Sequence, residues 1–181
     1  MVAQFSSKAR AILKKQGYLI YSLSGKTIKD LKAAGKLFWP YPDTTGWEVD
    51  GLPSKLSEVA FNPHPKKFFL PSSNNKTFSE QESMLAQYSV EQKKMVPDVD
   101  VIIGDVPDYV ELVFTHLDKT GERLFGRSPR FETWTVTKTR IFSHVAIVGY
   151  FYAKKGLTIS YCNLDEYHDE HLWVAPLIVP S

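Results

Sequence analysis

Residues 134–162 read WTVTKTRIFSHVAIVGYFYAKKGLTISYC, and the fold class turns on them. From Trp134 to Ile141 a threonine stands at every second position, Thr135, Thr137 and Thr139, the period-two pattern of a strand. Val145 to Ala153 is the longest apolar run of the chain, interrupted only by Gly149, and suits a buried strand. Leu157 to Cys162 is a third strand, joined to the second by Ala153-Lys154-Lys155-Gly156, a hairpin turn in composition. Leu172 to Val179 is a fourth. Adjacent strands with short connections predict a largely antiparallel sheet in the C-terminal third.

Upstream the periodicity changes to that of helices. Ser7–Gln16 is the first, with Ser6 or Ser7 as cap, an apolar stripe at Ala9, Ile12 and Leu13, and Gly17 as stop. Tyr18–Leu23 is a short strand. Thr27 caps a second helix, Ile28–Ala34, with Asp30 at the favourable end of its dipole. Thr77-Phe78-Ser79-Glu80 is a capping box opening a third helix that Pro97 ends, with Phe78, Met84, Leu85, Tyr88 and Met95 as its core-facing stripe. Val99–Ile103 is a strand. Pro107 then fits the first turn of a fourth helix that buries Val110, Val113, Phe114 and Leu117 and stops near Gly121. Residues 38–76 hold six prolines among many aromatics, so they are expected to wrap the core in order, with a short strand at Glu58–Phe61. The expected architecture is a single α+β domain over residues 1–181, helices mainly in the N-terminal two-thirds and sheet in the C-terminal third.

Composition sets outer limits. The chain has 181 residues, 43% hydrophobic and 23% charged, with 4 Trp, 9 Tyr and 11 Phe, enough large rings to build a packed interior. The single cysteine, Cys162, cannot form an internal disulfide, and Met1–Arg10 has no apolar run of a signal peptide. No stretch approaches a membrane span of about 18 apolar residues. The expectation is an intracellular, cytoplasmic protein without membrane association. Charge is uneven. Residues 1–36 carry eight Lys or Arg against Asp30 alone, and residues 161–181 carry four acids and no Lys or Arg.

Five groups could carry chemistry. Gly25-Lys26-Thr27 lies between a strand and a helix, the context of a phosphate loop, but Ile20 stands where that motif needs its first glycine, so a turn before a capped helix is the favoured reading. Lys138 and Arg140 lie two apart on a strand, ~6.6 Å along one face; with His144 close by, they are candidate anion-binding residues. Asn74, Asn75 and Lys76, before the third helix, add donors at a positive helix end. Asp165, His168, Asp169 and His171 are a candidate metal-ligating cluster, with the two histidines three apart. Lys29, Lys32 and Lys36 line one side of the second helix as a basic patch.

No nucleophile motif of the G-x-S-x-G type is present. His116 and Glu111 are five apart in the fourth helix and do not share a face well. Cys162, on a strand among apolar neighbours, reads as an inert packing thiol. The favoured reading is a non-catalytic binding or interaction protein. One alternative is an enzyme acting on a phosphorylated or other anionic small molecule through Lys138, Arg140 and the loop at Asn74–Lys76. Another, less favoured, is a nucleic-acid-associated protein using the basic first two helices. No residue pattern names a cofactor.

Overall fold

The computed structural model describes residues 3–39, 48–126, 133–163 and 168–181. The elements run α1 (Ser7–Lys15), β1 (Leu19–Ser22), α2 (Ile28–Ala33), β2 (Phe38–Trp39), a 3-10 turn (Glu48–Gly51), β3 (Glu58–Phe61), α3 (Phe78–Met95), β4 (Val99–Ile102) and α4 (Val106–Thr120). Then come β5 (Trp134–Ile141), β6 (His144–Tyr152), β7 (Gly156–Asn163), β8 (Leu172–Trp173) and β9 (Leu177–Pro180). The protein is α+β, with the antiparallel meander β5–β6–β7 where the alternation places it.

The strands form two sheets, ordered β2-β7-β6-β5-β8 and β1-β3-β9-β4. In the larger sheet β6 is central, and Val145 to Gly149 are all buried, as a continuous apolar run requires when both faces are covered. Gly149 is obligatory there: a Cβ would stand 2.2 Å from the Thr133 carbonyl oxygen. The short outer strands β2 and β8 pair in parallel with β7 and β5. The smaller sheet is antiparallel throughout.

The segment expected as one strand over Leu172–Val179 is two strands in two sheets. Leu172 and Trp173 pair with β5, whereas β9 lies between β3 and β4, with Ile178 opposite both Ala60 and Val101. Pro176, which has no N–H to give a ladder, marks the crossing. The buried backbone at the crossing finds side-chain partners instead. Val174 N–H donates to Ser73 Oγ (3.0 Å) and Ala175 N–H to Thr135 Oγ1 (2.9 Å). Val174 C=O accepts from Leu70 N–H (2.8 Å), and Ala175 C=O from the Tyr109 hydroxyl (2.6 Å).

Helix α4 lies between the sheets. Every residue from Val106 to Phe114 is buried. Phe114 packs on Phe38 and Phe151 of the larger sheet, while His116 packs on Tyr21 and Phe61 of the smaller one. Asp105 and Asp108 form its capping box, and Gly121, at φ 74°, ends it in the left-handed conformation. Buried residues from both sheets and all four helices belong to one apolar cluster.

Tyr109→Phe keeps the ring and removes the hydroxyl that serves Ala175. The variant should unfold about 1–3 kcal/mol earlier, the cost of a buried acceptor left without its donor, measured as a lowered urea midpoint at unchanged slope.

Candidate functional site: a cleft between the first and third helices

The turn at Ser24-Gly25-Lys26 builds an anion cradle, and the protein fills it from inside, while Thr27 N–H goes to Asp30. Consecutive amides turned toward one point form a nest for negative charge. Here the point is the carboxylate of Glu111, only 2% exposed. Ser24 donates to Oε1 through its N–H (2.7 Å) and its hydroxyl (2.6 Å), and Gly25 N–H (3.1 Å) and Lys26 N–H (3.0 Å) donate to Oε2. The Ser54 hydroxyl donates to Oε2 as well. Gly25, at φ +76°, allows the turn. Burial raises the Glu111 pKa, but the two serine hydroxyls and the amides outweigh it, so the carboxyl sits below its ordinary range. One helical turn earlier, Asp108 accepts from Lys55 N–H (2.9 Å) and Asp105 N–H (2.9 Å). Burial dominates there and holds its carboxyl above the usual value.

The other groups singled out in the sequence are placed as follows. Lys138 and Arg140 are both exposed. Arg140 stacks on the Phe78 ring, 4.7 Å from its centroid. It also lines a hollow of about 390 Å³ with Glu48, Leu52 and Phe142. The register pairs Arg140 with Val145 and Ile141 with His144, so Arg140 and His144 point to opposite faces of their hairpin. His144 instead meets Tyr161 edge-on.

Asn74 Nδ2 donates to the Glu170 carbonyl (3.1 Å), Asn75 N–H to the Asp169 carbonyl (2.9 Å), and Lys76 faces Glu80 at 3.8 Å. The candidate anion loop therefore packs on the segment of the candidate metal cluster. There His168 lies against the Asn75 carbonyl, His171 N–H donates to Asp169 Oδ1, and Asp165 lies outside the described residues. Among the described residues no three His, Cys, Asp or Glu side chains converge as a metal site. Of the basic patch, Lys32 pairs with Asp50 (2.5 Å), Lys36 pairs with Asp118, and Lys29 is exposed. Cys162 is buried, which pushes its thiol up to about 11. No helix among the described residues is long and apolar enough to cross a membrane.

The structure adds a site that the sequence did not announce. Gln16 ends α1, and Gly17, at φ +85°, turns the chain so that Tyr18 follows. On α3, Tyr88, Gln92 and Met95 follow at i, i+4 and i+7 and share a face. These residues form two walls of a cleft of about 320 Å³. The loop after β3 supplies the third. Asn62 Oδ1 accepts from His64 N–H (3.0 Å), and the His64 carbonyl accepts from both Lys67 and Phe68 N–H. That turn leaves Lys66 and Lys67 outward while Phe68 and Phe69 pack on Phe125 (ring centroids 5.4 and 5.9 Å).

The cleft is apolar in its body, through Phe69, Leu70, Pro71 and Pro176, and polar at chosen points. The Tyr18 and Tyr88 hydroxyls meet at 2.7 Å. Burial, then the bond to Tyr18, holds the Tyr88 phenol far above its ordinary range. Gln92 is 5% exposed. Its Oε1, like that of Gln16, is buried with no hydrogen-bond partner among the described residues. A second hollow of about 360 Å³ shares Gln16, Asn62 and Lys67 and extends the groove past His64. The stripe expected on α3 thus divides. Phe78 and Leu85 reach the core, whereas Tyr88 is half-buried and Met95 is 49% exposed at the cleft. The clue in the sequence was Gln92, a carboxamide between Tyr88 and Met95 on an apolar stripe.

Glu111→Gln places an amide donor against a nest of donors and should cost about 3 kcal/mol or more in urea unfolding. Because the folded Glu111 carboxyl titrates below its ordinary value, its contribution is complete above that value and is lost as pH falls through the folded pKa. The variant's stability should therefore fall less steeply than the parent's between about pH 5 and 3.

No family model matches this chain, and neither the curated proteins nor the solved structures include a significant match.

Proposed function

We propose that the protein is a non-catalytic binding module whose cleft between α1, α3 and the loop after β3 takes a small molecule with an apolar body and an anionic end. The observation that carries this reading is a largely apolar cleft whose charged lining residues are the exposed Lys66 and Lys67. A largely apolar pocket with a few convergent polar groups is the usual form of a small-molecule site. Lys66 and Lys67 are exposed and have no carboxylate partner among the described residues, so an acidic group can reach them.

The most buried carboxylates of α4 point away from catalysis. Glu111 and Asp108 each accept several backbone N–H groups and are committed to holding loops. The reading through Asn74, Asn75 and Lys76 has less to draw on, because Asn74 and Asn75 already donate to backbone carbonyls. The nucleic-acid reading is weakened likewise by the pairing of Lys32 and Lys36 with acids.

The test uses the aromatic sulfonate dye anilinonaphthalene sulfonate as probe. It should bind the folded protein at one saturable site. Affinity should drop roughly tenfold or more in Lys66→Glu/Lys67→Glu, the loss expected on reversing charge-assisted contacts. It should also drop in Met95→Trp, which fills the cleft from an exposed rim position. Unchanged binding in both variants would remove the cleft from consideration.

A further inference from the structure

The tip of the β5–β6 hairpin carries a residue that the fold does not explain. Ile141 and His144 pair across the turn, so Phe142 and Ser143 are its two loop residues. Of the two, Phe142 alone has a positive φ, 54°. That pattern ordinarily puts glycine first in the turn, because a bulky side chain there strains the backbone. The ring gains no packing in return, since Phe142 is 96% exposed. Residues held in this way cluster at functional sites.

The hollow of about 390 Å³ beside Phe142 is apolar through Leu52, 44% exposed, and Ile141, half-buried. A cavity of roughly 150 Å³ already holds a benzene ring, so a phenyl group has room here. The Thr139 hydroxyl is committed inside the fold, accepting from Val106 N–H (2.9 Å) and donating to Asp105 (3.2 Å). The charged lining residues are Glu48 and Arg140, both exposed. Neither has an oppositely charged partner among the described residues. Arg140 is steadied by the Phe78 ring, 4.7 Å away, which leaves its charge available.

One face therefore carries a knob and a hole, an acid and a base. Such a surface complements itself, and a two-fold axis sets the same patch on both sides of an interface. We infer that the face formed by Glu48, Leu52, Arg140 and Phe142 joins two copies of this chain, each Phe142 ring seated in the hollow of the other copy and each Glu48 against the partner's Arg140. An anionic membrane surface fits less well, because Glu48 lines the same hollow and is repelled by it. The cleft between α1 and α3 shares no residue with this face.

The experiment is sedimentation equilibrium of the full chain over about a hundredfold range of concentration, where mass action draws a homodimer together. The parent should pass from monomer to dimer. Phe142→Gly should weaken the dimer at least about tenfold, as loss of a central aromatic contact does. Its melting temperature at the lowest concentration should hold or rise, because glycine suits the turn. Glu48→Arg and Arg140→Glu should each stay monomeric, since like charges then face each other twice across the axis. Mixed in equal amounts, these two variants should associate again, because every charged contact between them joins an acid to a base. All three positions are exposed, so the substitutions leave the interior intact.

A parent that stays monomeric throughout, a dimer indifferent to Phe142→Gly, or a mixture that does not associate would overturn the inference. So would a monomer that binds vesicles of anionic lipid through Phe142, which would make the tip a membrane contact. Dye binding in the cleft is independent of these variants, so failure of the dimer and failure of the binding module are read separately.

Discussion

The backbone between Leu172 and Pro180 belongs to two sheets, and the rest of the molecule is arranged to make that crossing possible. A chain that leaves one sheet for another inside a core exposes N–H and C=O groups to a medium without water. Here each is met from a different part of the sequence. Ser73 and Leu70 come from the loop after β3, Thr135 from β5 and Tyr109 from α4. The C-terminal strand β9 can then lie between β3 and β4. The smaller sheet is therefore assembled from residues up to 161 positions apart in the chain, from Leu19 to Pro180.

Helix α4 supplies the second organising constraint. Its two buried acids, Asp108 and Glu111, turn inward and bind the backbone of two loops that have no regular structure of their own. An unpaired carboxylate at such depth would be strongly disfavoured. Surrounded by amides and hydroxyls it becomes a rivet, and Glu111 is the more saturated of the two. The opposed pKa directions of these carboxyls follow from that difference, since hydrogen bonds prevail at one and burial at the other.

The cleft lies where these constraints slacken. Phe68, Phe69 and Phe125 fasten one side of the loop after β3, leaving Lys66 and Lys67 outside. The last turns of α3 and its C-cap keep Gln92 and Val96 buried, while Tyr88 and Met95 line the cleft. Polar side chains at such a seam usually find each other, as Tyr18 and Tyr88 do. The buried oxygens of Gln16 and Gln92 have no hydrogen-bond partner among the described residues, as is also true of Gln81 Oε1 elsewhere on α3.

Local chemistry was largely legible in the sequence. The N-cap at Thr27, the capping box at Thr77, the stop at Gly121, the hairpin at Gly156 and the alternation of Trp134–Ile141 each act through neighbours a few residues away, so the residues themselves determine them. The α+β class and the order of elements follow from those signals. What tertiary structure alone decided is which distant groups meet. Nothing near Glu111 in sequence says that it fills the nest at Ser24–Lys26. Nothing near Asn74 says that its donor goes to Glu170, nor near Pro176 that one apolar stretch divides between two sheets. The cleft belongs to the same class, because Gln16, Lys67 and Gln92 lie on three separate elements. Helix caps and turns are short-range hydrogen bonds that the chain carries wherever it goes, whereas a site exists only after long loops have closed and the core has fixed the angle of every wall.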